Sequence, residues 1–196
     1  MQHFNRRRFL KGTVTALLAM LPAFVIGFER NKLRTTARRR FLRPPGALPE
    51  DQFLKQCIGC FKCATACPNS CIEMAGFAQG LKNVHTPMIF PRKQACTLCM
   101  RCTEVCPTGA LQLVSRDKEV VAEKVKMGVA VIETALCFSY YGRTCGVCYR
   151  ACPYPGKALS VGLLEQPVID PDHCVGCGLC EQACIHMPQA IRIQAI

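Results

Sequence analysis

The stretch Cys96-Thr97-Leu98-Cys99-Met100-Arg101-Cys102-Thr103-Glu104-Val105-Cys106-Pro107 decides how the rest of the chain is read. Two residues separate each of the first three cysteines, three more precede the fourth, and a proline follows. Three cysteines this close, on a tight loop, can present three thiolates to three corners of one iron–sulfur cube. The fourth comes one helical turn later, and in two-cluster ferredoxins it ligates the neighbouring cube. The proline cannot continue the short helix that carries it, so the helix stops there.

Working outward, the pattern recurs. Cys57, Cys60, Cys63 and Cys67, followed by Pro68, repeat it. So do Cys174, Cys177, Cys180 and Cys184, followed by Ile185. A third copy is stretched: seven residues separate Cys137 from Cys145, and Cys148 and Cys152-Pro153 then keep the usual spacing. Motifs at 57–67, 96–106, 137–152 and 174–184 thus make sixteen of the seventeen cysteines candidate iron ligands of four [4Fe–4S] clusters. The repeat ties clusters in pairs, but two schemes remain: first motif with second and third with fourth, or first with fourth and second with third. Structural zinc usually uses two separated cysteine pairs, and a disulfide network would leave an odd cysteine; both fit worse. The extra Cys71, four after Cys67, reads as a small buried residue of the turn, as Ala110 does after Cys106.

Short apolar runs flank the motifs. Ile72–Phe77, Ala110–Val114, Ala158–Leu164 and Ala190–Ile196 follow them; Met88–Phe90, Val129–Ala135 and Pro167–Ile169 precede them. Strand, cysteine loop, short helix and strand make the ferredoxin βαβ half-unit. The fold class expected is α+β, a tandem bacterial-ferredoxin-like domain over 50–196 with little conventional hydrophobic core. The first motif lacks a preceding strand; Pro49–Gln56 reads instead as a short helix. Arg116–Lys126 is a charged connector, solvated and in part helical. So small a domain buries little apolar surface, so the clusters themselves are expected to form its core and the apo-chain to be largely unfolded.

The net charge of +12 is uneven. Residues 1–43 hold eleven Lys and Arg against Glu29 alone, whereas residues 44–196 hold fourteen basic and twelve acidic residues. The basic excess is therefore not on the cysteine-rich body, and a nucleic-acid partner is not expected. Arg6-Arg7-Arg8-Phe9-Leu10-Lys11 precedes an uncharged run from Gly12 to Phe28, the pattern of a signal peptide, with paired arginines as in twin-arginine export. Residues 1–28 are expected to be such a signal, either cleaved or kept as a membrane anchor over 12–28. Residues 29–49 read as a basic and proline-rich linker. Twin-arginine export moves folded proteins, so clusters inserted in the cytoplasm would reach the periplasm intact.

No dinucleotide fingerprint, P-loop or nucleophile elbow occurs, and no catalytic residue is assigned. His3, His85, His173 and His186 are isolated, the last two at turns beside cluster cysteines.

RRRFLK at 6–11, RPPGALPE at 43–50, the four cysteine motifs and KMGVAVIETALC at 126–137 resemble the NapG/MauM-type periplasmic polyferredoxins. The resemblance covers nearly the whole chain. It implies four [4Fe–4S] clusters on the sixteen cysteines. It further implies a non-enzymatic relay carrying electrons from a membrane-bound ferredoxin-type, quinol-oxidising protein to a periplasmic reductase or dehydrogenase. A role in maturing such an enzyme is the alternative. Ile185, Cys71 and the arginine-rich 29–43 depart from the family pattern.

Overall fold

A computed structural model describes residues 41–196. The expected export signal and the linker up to residue 40 lie outside the described residues. The cysteine loops share one backbone device. In each, the residue after the second cysteine has positive φ and opens a helix: Phe61, Met100, Gly146 and Gly178. In the three regular motifs the residue before that cysteine (Gly59, Leu98 or Gly176) is left-handed too. Thr144 in the stretched motif is not, so its extra residues enter by a different path.

These turns launch α2 (Lys62–Thr65), α3 (Arg101–Glu104), α5 (Val147–Ala151) and α6 (Leu179–Ala183). The other helices are α1 (Glu50–Gln56) and α4 (Lys118–Lys124). The strands are β1 (Ile72–Met74), β2 (Pro87–Ile89), β3 (Gly128–Ile132), β4 (Leu159–Val161), β5 (Pro167–Ile169) and β6 (Ile191–Ala195).

The strands flanking each half-unit do not pair with one another. They pair across halves, always antiparallel. β4 lies on β5 with Leu159 opposite Ile169, and β3 lies on β6 from Gly128 opposite Ala195 to Ile132 opposite Ile191. Motifs three and four therefore share one module. In the first module β1 lies on β2, with Ile72 opposite Ile89. The strand expected to be missing before the first motif has a substitute: Ala47 bridges Leu111, Leu48 N–H donates to Ala110 O at 3.1 Å, and Gln112 N–H donates to Gly46 O at 2.7 Å. Pro44, Pro45 and Pro49 offer no N–H, so this ladder stays short. For the same reason 110–114 forms a bridge and not the strand expected there. Gly46 has φ +76, and a Cβ there would fall on the Gln112 carbonyl.

Residues 42–49, read from sequence as the end of a linker, are packed into the body. Leu42 and Arg43 are buried. Arg43 donates to both Glu50 carboxylate oxygens (2.9 and 2.6 Å), to Thr86 Oγ1 (2.8 Å) and to Pro87 O (2.9 Å), and its guanidinium lies over Phe53. α4 is helical but not simply solvated: Val121 within it and Val125 just past its end are buried. The core is small and apolar. Phe53, Met100, Leu159, Val121 and Val125 are fully buried in it, and seven buried cysteines are interleaved with them.

Candidate iron–sulfur sites

The helices and loops sort the sixteen thiols into four crossed quartets. In each module, three thiols come from one motif and the fourth from the other. Site A joins Cys57, Cys60 and Cys63 to Cys106: the Cys57 and Cys63 thiols both feel the charge of Cys106. Site B joins Cys96, Cys99 and Cys102 to Cys67, which share the wall of one cavity. Site C joins Cys137, Cys145 and Cys148 to Cys184 around a second cavity, and site D joins Cys174, Cys177 and Cys180 to Cys152 around a third. All four first-motif and all four second-motif cysteines are thus in one module, and the remaining eight in the other. Of the two pairing schemes, the chain adopts first with second and third with fourth.

The two modules meet at sites B and D. Cys96 N–H donates to Cys177 O at 3.0 Å. Gln182 on α6 accepts from Ala95 N–H (3.3 Å) and donates to Lys93 O (3.3 Å) and Gln94 Oε1 (3.2 Å). Gly178 lies so close to Pro91 that a Cβ would fall on the proline ring. The sites are therefore neighbours in the order A, B, D, C. Exposure follows that order. Cys60 of site A is exposed and all four thiols of site C are partly so, whereas site D has three buried thiols and site B has two, Cys96 and Cys102.

Burial shapes the thiols' chemistry. It pushes Cys63 and Cys148 up to about 11, and Cys102 and Cys177 up to about 12, with neighbouring cysteine charges adding to the rise. Backbone N–H groups offset part of this. Leu98 N–H points at Cys96 Sγ and Leu111 N–H at Cys106 Sγ, both at 3.4 Å. At Cys106 burial raises the thiol, but the Leu111 N–H and the Thr108 hydroxyl outweigh it, and the net shift is downward. N–H groups directed at sulfur are suited to holding thiolates.

The donor set fits iron–sulfur cubes. Sulfur is the soft ligand such clusters take, and each site offers four cysteines. His186 lines site C and its Nδ1–H donates to Pro188 O at 2.8 Å; sequence placed it beside the cysteines but not on the cavity wall. His173 is exposed and bonded to Asp170 (2.8 Å). Cys71 is more than a turn filler: its thiol lies on the wall of site B.

The 4Fe-4S dicluster domain family matches residues 56–110 and again 95–158, and the 4Fe-4S binding domain family matches 167–186. The second dicluster match spans motifs two and three, which lie in different modules. The methylamine utilization ferredoxin-type protein MauM of Methylophilus methylotrophus is 40% identical over 201 residues, 96% of this chain and 86% of its own. The ferredoxin-type protein NapG of Escherichia coli is 34% identical over 204 residues, 96% of this chain and 85% of its own. MauM of Paracoccus denitrificans is 39% identical over 182 residues, covering 85% and 78%. The chain belongs to the NapG/MauM family of ferredoxin-type proteins. It is an iron–sulfur protein with tandem 4Fe-4S domains and mixed helix and strand content, an electron carrier of the NapG/MauM kind.

Proposed function

We propose that each quartet holds one [4Fe–4S] cluster, four in all, and that the protein relays electrons from a membrane-bound, quinol-oxidising ferredoxin-type protein to a periplasmic reductase or dehydrogenase. The observation that carries this reading is the unbroken neighbour order of the four sites, with the two most exposed at the ends. Bound clusters supply reversible one-electron chemistry. The chain's own residues hold the thiolates, aim N–H groups at them and bury most of the two inner sites' thiols. No substrate pocket is assigned, so partners would meet the protein at sites A and C. Export is proposed to use the twin-arginine signal at 6–11, with 12–28 removed or kept as an anchor on the periplasmic face. Among the described residues no helix is long and apolar enough to cross a membrane.

Anaerobic purification with iron, acid-labile sulfide and zinc counts is the first test. About 16 iron and about 16 sulfide per chain are expected; stoichiometric zinc without sulfide overturns the reading. A role in maturing a periplasmic redox enzyme is the second reading. The two part in a deletion strain given its periplasmic partner enzyme. A partner active with an artificial donor but not with quinol supports relay; a partner inactive with any donor supports maturation.

A further inference from the structure

Cys71 stands apart from the sixteen candidate ligands, yet it is inside their sulfur set. Its side chain is only 3% exposed. Its Sγ is 3.5 Å from Cys67 Sγ, and both residues line one cavity with Cys96. It shares the site B wall with Cys67, Cys96, Cys99 and Cys102. The same offset, four residues past the last cysteine, holds Ala110, Gly156 and Pro188 in the other motifs. Whatever Cys71 does is therefore confined to one site of the four.

Cys67 and Cys96 lose their protons when they bind iron. Of the three sulfurs, Cys71 alone then keeps a hydrogen, so it can only donate. We propose that Cys71 is a positioning residue of site B: a neutral thiol whose S–H donates to the Cys67 sulfur and raises the reduction potential of the cluster bound there. Adding an electron increases negative charge on the cluster and its ligand sulfurs. A donor aimed at those sulfurs stabilises the reduced form more than the oxidised one, and hydrogen bonds to the sulfurs are among the main controls of such potentials. The site is buried, so water does not replace the bond when it is removed.

This inference rests on the reading that site B holds a [4Fe–4S] cluster, and the test separates the two. The full chain, purified or reconstituted anaerobically, is compared with Cys71→Ala and Cys71→Ser by iron and sulfide count and by potentiometric titration followed by electron paramagnetic resonance. Wild-type protein short of iron for four clusters defeats the cluster reading itself. With iron complete, Cys71→Ala is expected to keep its full count and to show one midpoint potential lowered and the other three unmoved. Cys71→Ser, which keeps a donor, is expected to recover most of that fall. Unchanged potentials in Cys71→Ala overturn the proposal. So does a serine variant that matches alanine, because packing and not donation would then be responsible. Loss of iron in Cys71→Ala also overturns it and makes Cys71 a ligand.

Discussion

At the scale of single residues, this fold stores strain beside its sulfurs and relieves buried charge elsewhere. Phe61, Leu98 and Met100 all have positive φ, a conformation costing a side-chain-bearing residue about 1–2 kcal/mol. Only the loop's need to turn three thiols toward one point explains their shape. Arg43 shows the opposite economy: a buried cation whose donors are taken by Glu50, Thr86, Asn83 and Pro87 O. Arg43→Met is expected to lower the stability of the loaded protein by about 2–3 kcal/mol, read as a shift in the denaturation midpoint. The raised thiols give a pH dependence. Burial holds the Cys63, Cys102, Cys148 and Cys177 thiols above the ordinary cysteine range, and they must be thiolates to bind iron, so loading releases protons. Clusters should accordingly be held better as pH rises through the neutral range. Iron retained after equal incubations from about pH 6 to about pH 8.5 checks this, and greater retention at the acid end contradicts it.

At the scale of elements, the crossed quartets make a prediction that motif boundaries do not. Cys106 lies in the second motif but completes site A. Cys106→Ala and Cys60→Ala should therefore remove the same spectroscopic signal, whereas Cys99→Ala removes a different one and weakens its paired neighbour. Each variant should fall to about 12 iron per chain; signals that group by motif contradict the crossing. The cysteine spacing made the loops, the helices after them and most strands readable in advance, because three ligands on one loop allow few backbones. The pairing of strands was not readable, since antiparallel partners come from different half-units. Nor was the pairing at 46–48, which prolines disguise, nor the burial of Val121 and Val125 in a segment whose charges read as solvent-facing. Cys71 looked like a filler because its 3.5 Å contact is with Cys67, and spacing alone is silent on contacts.

At the scale of the whole molecule, one continuous buried cluster and a few polar bonds join the two modules. Gln182 bridges them with three hydrogen bonds, and the Cys96–Cys177 backbone bond is beside it. Gln182→Ala is expected to cost about 1–2 kcal/mol and to let the modules lose structure separately. Hydrogen exchange should then show the β4–β5 and β1–β2 hairpins opening at different rates in the variant and together in the wild type. Ends and middle also differ. Sites A and C carry the exposed thiols, and Ile58 and Phe61 stand exposed near one, Ile185 and Met187 near the other. The stretched third motif adds Phe138–Tyr141, a 3-10 turn whose Tyr140 and Tyr141 hydroxyls donate to Pro167 O (3.2 Å) and Ala135 O (2.9 Å). The two ends are thus built differently.

The crossing also sets the step by which such a chain can lengthen over its history. Each motif gives one cysteine away and receives one back, so a lone extra motif would create a site short of a thiol and leave its own last cysteine with nothing to complete. Gene duplication can add sites only two at a time. The inner contact between Cys96 and Cys177 is the seam between two such paired units.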